Sequence, residues 1–141
     1  MIVNRSVPQS SVIPVLTYDD VAEATEWLCR AFGFRERLRI GDHRAQLVSG
    51  DGAVIVTAGR TERRAAASPL THSVLVRVED ADRHHDQAKR SGARILQPPT
   101  DYPYGERQYS AVDLAGHHWT FSQSIADVDP ASWGGASTER M

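Results

Sequence analysis

The sequence predicts an α+β fold made of two tandem β-α-β-β-β modules, and three observations support that prediction. Alternating apolar residues, typical of strands, surround two stretches whose apolar residues recur at helical spacing. Each helical stretch follows an acidic residue and ends at a glycine. The order of elements then repeats, since Asp19-Asp20 is matched 60 residues later by Glu79-Asp80. A fixed internal period indicates a duplicated supersecondary unit.

Module one is predicted over about residues 11–58. Its first strand is rich in β-branched residues and leads into Asp20, a favourable N-cap residue. Apolar residues then recur at helical spacing over about residues 20–32, and Gly33 supplies a C-terminal stop for this helix. The strands of module one are predicted at residues 11–18, 34–40, 44–49 and 53–58.

A connector is predicted over residues 59–71, which are small and charged and show no period. Module two follows over about residues 72–123, with a helix at about 81–91 that stops at Gly92. The strands of module two are predicted at residues 72–78, 93–97, 107–113 and 117–123. We expect Pro98-Pro99 to end the second of these strands, because proline cannot donate to a sheet ladder.

Composition excludes several classes of protein and partner. The chain has 141 residues, of which 40% are hydrophobic and 24% charged, as expected for one globular domain. Sixteen basic and eighteen acidic residues give a net charge of −2, so nucleic acid and membrane surfaces are poor partners. A single cysteine, Cys29, excludes an internal disulfide and favours a cytoplasmic location. No apolar run is long enough for a membrane span, and none at the N-terminus is typical of a signal peptide.

Three motifs carry a resemblance to a known family. The final predicted hairpin contains Asp113, Gly116 and Trp119, and it is similar to the Asp-Pro-x-Gly-x-x-Trp ending of the vicinal oxygen chelate superfamily, with Leu114 in place of proline. That superfamily includes glyoxalase I, bleomycin-resistance proteins and extradiol dioxygenases. The stretches at residues 104–107 and 78–82 resemble its glyoxalase-like or PhnB-like branch. The resemblance covers about residues 11–125 and implies curled mixed sheets around a cavity, with helices outside and a homodimeric assembly.

The same resemblance implies one divalent metal held by four His or Glu side chains, one from the first and one from the last strand of each module. The corresponding positions in this sequence are Ile13, Val56 (or Val54 if the hairpin is shifted) and Thr120, which are poor ligands. The remaining ligand position falls on the first strand of module two, which begins at His72, but alternation places that residue on the same side as the helix-facing valines. We therefore expect no metal cofactor.

A non-standard ligand set made of His72, His118 and Glu106 remains the alternative. With one divalent metal ion, it would make the protein a lyase, isomerase or dioxygenase of the superfamily. His117 and His118 cannot chelate one ion together, because adjacent strand residues point to opposite faces.

Alternation also selects residues for a ligand cavity. Ser73, Leu75 and Arg77 are predicted to face it, and His118 is in phase with Thr120, either to hydrogen-bond a ligand or as a solvated hairpin histidine. Arg107 would favour a carboxylate or another planar polar group, with Asp113 nearby either as an acid-base partner or as a turn former. The predicted ligand-binding set is Val56, Ser73, Leu75, Tyr104, Arg107, His118 and Thr120.

Several aromatic residues and histidines admit a simpler interpretation. Trp27 and Trp119 are predicted to pack in the core, and His84 to be a satisfied, half-buried helix residue. The tyrosines at positions 102, 104 and 109 could stack on a flat ligand or cover a sheet edge. Trp133, in the tail at residues 124–141, would anchor the tail on its own domain, reach across a dimer, or lie in a disordered segment.

The leading hypothesis is a metal-free, cytoplasmic homodimer that binds or sequesters a small organic ligand, aromatic or anionic, as the bleomycin-resistance branch does for its drugs. The metal-dependent enzyme is the second hypothesis. A divergent scaffold with a filled cavity is the third.

Overall fold

The computed structural model describes residues 2–60 and 72–137, and within these ranges the chain follows the predicted order of elements. Module one comprises β1 (Val15–Tyr18), α1 (Val21–Phe32), β2 (Arg35–Ile40), β3 (Arg44–Ser49) and β4 (Gly52–Ala58). Module two comprises β5 (Val74–Arg77), α2 (Ala81–Arg90), β6 (Arg94–Tyr102), β7 (Glu106–Val112) and β8 (His118–Ser124). A short 3₁₀ helix follows at Pro130–Trp133. The α+β prediction of two tandem modules is confirmed.

Each module forms its own four-stranded mixed sheet. The strand orders are β1-β4-β3-β2 and β5-β8-β7-β6, so the two sheets have the same topology. In each sheet the first strand pairs in parallel with the last, and the other pairs are antiparallel. The sequence repeat therefore corresponds to a structural repeat.

Both helices begin as the sequence predicts. The side chains of Asp20 and Asp80 accept hydrogen bonds from the backbone N–H groups of Glu23 and Arg83, each at 3.0 Å. Helix α1 ends at Gly33, whose φ of +77° lies in the left-handed region that favours glycine. No helix of the described ranges is long and apolar enough to cross a bilayer.

Strand β6 differs most from its prediction. It runs through Pro98-Pro99 to Tyr102 instead of ending at Gln97. The pairing with β7 shifts register twice, between Ile95 and Gln97 and between Gln97 and Thr100. Strand β6 is the outer strand of its sheet, so one of its sides has no neighbouring strand within the described ranges to accept hydrogen bonds. At this edge, and at the register shifts, the two prolines fit although they have no N–H group to donate. The predicted connector lies outside the described residues from position 61 to 71.

The helices cover one face of each sheet and form a single core with it. Trp27 and Trp119 belong to this core, as predicted, and the Phe32 ring joins the modules by packing on Trp119 and Phe121. Neither α1 nor α2 covers the opposite side of either sheet, and we refer to that side as the helix-free face.

Asp113 links the two modules at one end of the core. Its Oδ2 atom accepts hydrogen bonds from the Tyr18 hydroxyl at 2.6 Å and the Trp119 indole at 3.0 Å. Its Oδ1 atom accepts two backbone N–H bonds, from Ala115 and His117, within the β7–β8 turn. The turn-forming role predicted for Asp113 is confirmed. An acid-base site with Arg107 is wrong, since six strand residues, roughly 20 Å, separate the two positions along β7.

Candidate functional site

The helix-free face of module one is closed by the N-terminal arm, which we define as residues 2–11. Gln46 points away from the helices, yet it is only 3% exposed. Its side-chain amide donates to the Ser6 carbonyl at 2.9 Å, and the Arg37 guanidinium donates to the Arg5 carbonyl, also at 2.9 Å. The Ser10 hydroxyl fixes the arm further along, at the β3–β4 turn. The arm thus leaves little of this face available to a ligand.

Deleting residues 2–10 is expected to reopen that face. The variant loses the two hydrogen bonds to Gln46 and Arg37, so its free energy of unfolding should fall by about 1–2 kcal/mol. The binding of 1-anilinonaphthalene-8-sulfonate, measured by fluorescence, should rise with the exposed apolar area. Deletion of residues 2–3 alone is the control, because both side chains are already exposed. Equal fluorescence for the two deletions would show that the arm does not cover the sheet.

The helix-free face of module two is open and polar. Leu75 on β5 is 56% exposed, and Thr120 on β8 is its register partner. By alternation and register, this face includes Leu75, Arg77, Glu106, Gln108, Ser110, Val112, His118, Thr120, Ser122 and Ser124. We call this set the open face.

Hydrogen bonds between side chains organise the open face. The hydroxyls of Ser110 and Thr120 lie 3.1 Å apart. Further along the strands, the Gln108 amide donates to the Ser122 hydroxyl at 3.0 Å, and that hydroxyl donates to Glu106 at 2.7 Å. These bonds hold donors and acceptors in fixed positions, which is what a binding surface requires.

A groove lined mainly by apolar residues borders the open face, between the first strands of the two sheets. It has a volume of about 430 Å³ and lies between β1 and β5. Val15 and Leu75 expose about half of their surface on its two sides. Its lining is Pro14, Val15, Leu16, His72, Ser73, Val74 and Leu75.

Aromatic rings stand at the other end of the open face. The rings of Tyr102 and Tyr104 are stacked, with centroids 5.4 Å apart and an angle of 10°. Trp133 packs on Tyr104, also at 5.4 Å. The Tyr104 hydroxyl donates to the Gln108 side chain at 3.3 Å, which connects this aromatic cluster to the open face.

The C-terminal tail reaches the aromatic cluster by docking on the β6–β7 turn. The Gly105 carbonyl accepts the Ile125 N–H at 2.8 Å. Gly105 has a φ of +82°, and a Cβ atom there would lie 2.5 Å from the Ala126 carbonyl oxygen, so only glycine fits this approach. Of the three alternatives for Trp133, the structure shows the anchor on its own chain.

A wider hollow of about 710 Å³ lies on the other side of module one, between α1 and β2. Its charged groups are already paired, Arg30 with Glu26 and Arg39 with Glu36. Burial, with Glu36 nearby, raises the pKa of the Cys29 thiol, which keeps that cysteine protonated and unreactive. This hollow is therefore a weaker candidate than the open face.

Comparison with known proteins agrees with this architecture. Residues 12–121 match the model of the Glyoxalase/Bleomycin resistance protein/Dioxygenase superfamily. The chain belongs to this superfamily.

The crystal structure of TioX from Micromonospora sp. ML1 is 38% identical in sequence to this chain, and the match covers 82% of this chain and 99% of TioX, with a TM-score of 0.67. The fosfomycin resistance protein FosX from Listeria monocytogenes is 13% identical over 82% of this chain and 93% of its own, with a TM-score of 0.65, and shares the fold. An uncharacterized protein from Mycobacterium bovis is 23% identical over 86% of this chain and 88% of its own.

Five of the seven residues predicted to bind ligand lie at the open face of this superfamily member or beside it. Leu75, His118 and Thr120 belong to the face, and Ser73 is exposed directly before β5. Tyr104 reaches the face through its bond to Gln108. Their role in binding stays a prediction.

The predicted placement of Val56 and Arg107 is wrong. Val56 is fully buried and pairs in register with Leu16, whose side chain packs under α1. Arg107 is in phase with the buried Tyr109, so its guanidinium lies on the helix side and pairs with Asp101 at 2.7 Å and Asp82 at 3.0 Å. These contacts, Asp101 first, raise the pKa of Arg107, and the same bond lowers the pKa of Asp101.

Sequence reasoning missed the polar residues of β7. Tyr109 and Ala111 are fully buried, which puts Gln108 and Ser110 on the opposite side of the strand. Tyr109 is therefore no ligand-stacking residue, because its ring packs on Phe121 inside the core. The small apolar Ala111, two positions after Tyr109, was the signal that could have corrected the phase.

The described residues of this chain do not fit the metal site of the superfamily. No three His, Cys, Asp or Glu side chains form a group that could hold an ion within residues 2–60 and 72–137. The alternative set of His72, His118 and Glu106 also fails as one site. Glu106 pairs with Ser124, six residues along β8 from His118, which puts the two side chains roughly 20 Å apart.

Proposed function

We propose that this superfamily member binds a small organic ligand on the open face and needs no resident metal ion to do so. The observation that carries the proposal is the contrast between the two helix-free faces. The arm covers the face of module one, whereas the open face combines exposed Leu75 with a ladder of hydrogen-bonded polar groups. Apolar surface with a few oriented polar groups is typical of small-molecule sites.

The chemistry of the open face favours a ligand with both apolar and polar edges. The groove beside Val15 and Leu75 would take an apolar part. The hydroxyls of Ser110 and Thr120 would each offer a donor and an acceptor to a carbonyl, amide or hydroxyl group. Arg107 lies on the other side of the sheet, so Arg77 is the one arginine of the open face that could bind an anionic ligand group.

We further infer a homodimer, which the resemblance to the superfamily implies, and a cytoplasmic location, which the single cysteine, Cys29, favours. Sedimentation equilibrium measures the mass in solution, and a mass of one chain at micromolar concentration would contradict the dimer.

A thermal-shift screen of planar aromatic amides, acids and amines tests the proposal. Ligands found in this way should bind Thr120→Val more weakly than the wild-type protein, by roughly 5- to 30-fold, because a buried ligand group loses its hydrogen-bond partner. Isothermal titration calorimetry measures the affinities. Arg107→Ala is the matched control, since its side chain lies on the helix side and should leave binding unchanged. The proposal would be contradicted if the screen finds no ligand. It would also be contradicted if Arg107→Ala weakens binding and Thr120→Val does not.

Metal content separates this function from the metal-dependent enzyme. The protein is purified without chelator or tag, offered Fe(II), Mn(II), Ni(II) and Zn(II), and analysed by mass spectrometry for ions per chain. We expect occupancy near zero. Occupancy near one ion per chain would support a lyase, isomerase or dioxygenase, and would direct assays to thiohemiacetals, diols and catechols.

A further inference from the structure

We propose that the aromatic end of the open face recognises a protonated or methylated ammonium group of the ligand. The proposed site consists of Glu106 and the aromatic cluster of Tyr102, Tyr104 and Trp133. This inference rests on the proposed function, because it assigns a chemical class to one part of the ligand bound there.

A carboxylate lies beside aromatic rings at this end of the open face. Glu106 is the register partner of Tyr102, and directly opposite side chains on one face have Cβ atoms about 5 Å apart. Tyr104 stacks on Tyr102, and Trp133 adds a ring that is 47% exposed. Aromatic faces attract organic cations through their quadrupole, and a neighbouring carboxylate adds direct charge attraction.

Glu106 has no ion-pair partner among the described residues. Arg77, the arginine on the same face, donates instead to the hydroxyl of Ser124, the register partner of Glu106, at 3.3 Å. In the described part of the chain, the ion pairs involve Arg30, Arg39, His85 and Arg107, and none of them reaches Glu106. The Glu106 side chain is half-buried. Among the described residues, its carboxylate accepts one hydrogen bond, from the Ser122 hydroxyl to one of its two oxygens. A carboxylate without a cationic partner leaves its charge available to attract a cationic ligand group.

The surroundings of Glu106 favour an organic cation over a metal ion. Within residues 2–60 and 72–137, no group of three His, Cys, Asp or Glu side chains includes Glu106, so this is a poor site for a divalent metal ion, which needs several oxygen or nitrogen ligands. Three aromatic rings instead suit a bulky, weakly hydrated organic cation. The tail has to fold back across Gly105 to deliver Trp133, which gives its docking a role in binding.

Choline chloride is the probe, and 3,3-dimethylbutan-1-ol is its neutral isostere. Both are titrated into ¹⁵N-labelled protein at constant ionic strength, and the indole N–H resonances are followed by NMR. We expect choline to shift the signal of Trp133 while those of the core residues Trp27 and Trp119 stay in place. The neutral alcohol should bind at least about 5-fold more weakly, in line with a cation–π contribution.

Variants then separate charge from shape. Glu106→Gln should weaken choline binding by roughly 5- to 30-fold and leave the neutral alcohol unaffected. Arg77→Gln removes a positive charge from the same face and should strengthen choline binding. Glu79→Gln, an exposed carboxylate elsewhere on module two, is the matched control and should change nothing. Circular dichroism checks that each variant is folded.

Equal affinities for choline and the alcohol, no choline binding, or no effect of Glu106→Gln would overturn the ammonium site. These results leave the proposed function standing if screened ligands still depend on Thr120. Loss of both the choline response and all screened ligands would overturn the two proposals together.

Discussion

Replacement of Asp113 by alanine is expected to lower the free energy of unfolding by about 2–6 kcal/mol. The substitution leaves two buried donors without an acceptor, and each unsatisfied donor costs about 1–3 kcal/mol. Those donors are the Tyr18 hydroxyl and the Trp119 indole, which belong to different modules. Burial, and then the Asp113 carboxylate, raise the pKa of Tyr18, so its hydroxyl remains a donor at physiological pH. A loss of this size approaches the whole stability of a typical domain.

Urea unfolding followed by circular dichroism measures this loss. Asp127→Ala is the matched control, because Asp127 is exposed in the tail, and its unfolding midpoint should not change. Tyr18→Phe removes only one of the two buried donors together with its need for a partner, so a smaller loss is expected. If Asp113→Ala unfolds at the wild-type urea concentration, the carboxylate does not hold the modules together.

Lowering the pH below 6.5 is expected to destabilise the protein through His84. Its Nε2–H group donates to the Phe32 carbonyl at 2.8 Å, which leaves Nδ1 to accept from the Tyr109 hydroxyl. Burial among Phe32, Tyr109 and Phe121 lowers the pKa of His84 in the folded state. The unfolded chain therefore takes up the proton first, and the free energy of unfolding falls as the pH drops from 6.5 towards the folded-state pKa, by up to about 1.4 kcal/mol per pH unit.

The measurement is a series of urea titrations between pH 8 and pH 5. In His84→Gln this part of the slope should disappear, and stability at pH 8 should fall because the Tyr109 hydroxyl loses its acceptor. His43→Gln, an exposed histidine in the β2–β3 turn, should retain the slope. An unchanged slope in His84→Gln would assign the pH dependence to other groups.

The alternation of side chains along a strand was sufficient to predict which residues of β5 and β8 lie on the open face. The valines of β5 pack on the core and leave Leu75 on the other side, and Trp119 in the core likewise places His118 and Thr120 on the open face. These strands carry large apolar residues at every second position, so their phase can be read from the chain alone. Strand β7 carries the larger polar residues Arg107 and Gln108 on opposite sides, and its phase depends on contacts with α2.

The sequence by itself determined the duplicated order of elements, the Asp20 and Asp80 caps and the family motif around Asp113, because each depends on residues close together in the chain. Only the tertiary structure decided that the N-terminal arm covers module one and that the tail brings Trp133 to Tyr104. Both contacts join segments about thirty or more residues apart, and neither segment has a period that predicts its partner. The arm therefore decides which helix-free face stays accessible, and the tail adds an aromatic ring at the edge of the open face. Such long-range packing has no local signature in the sequence.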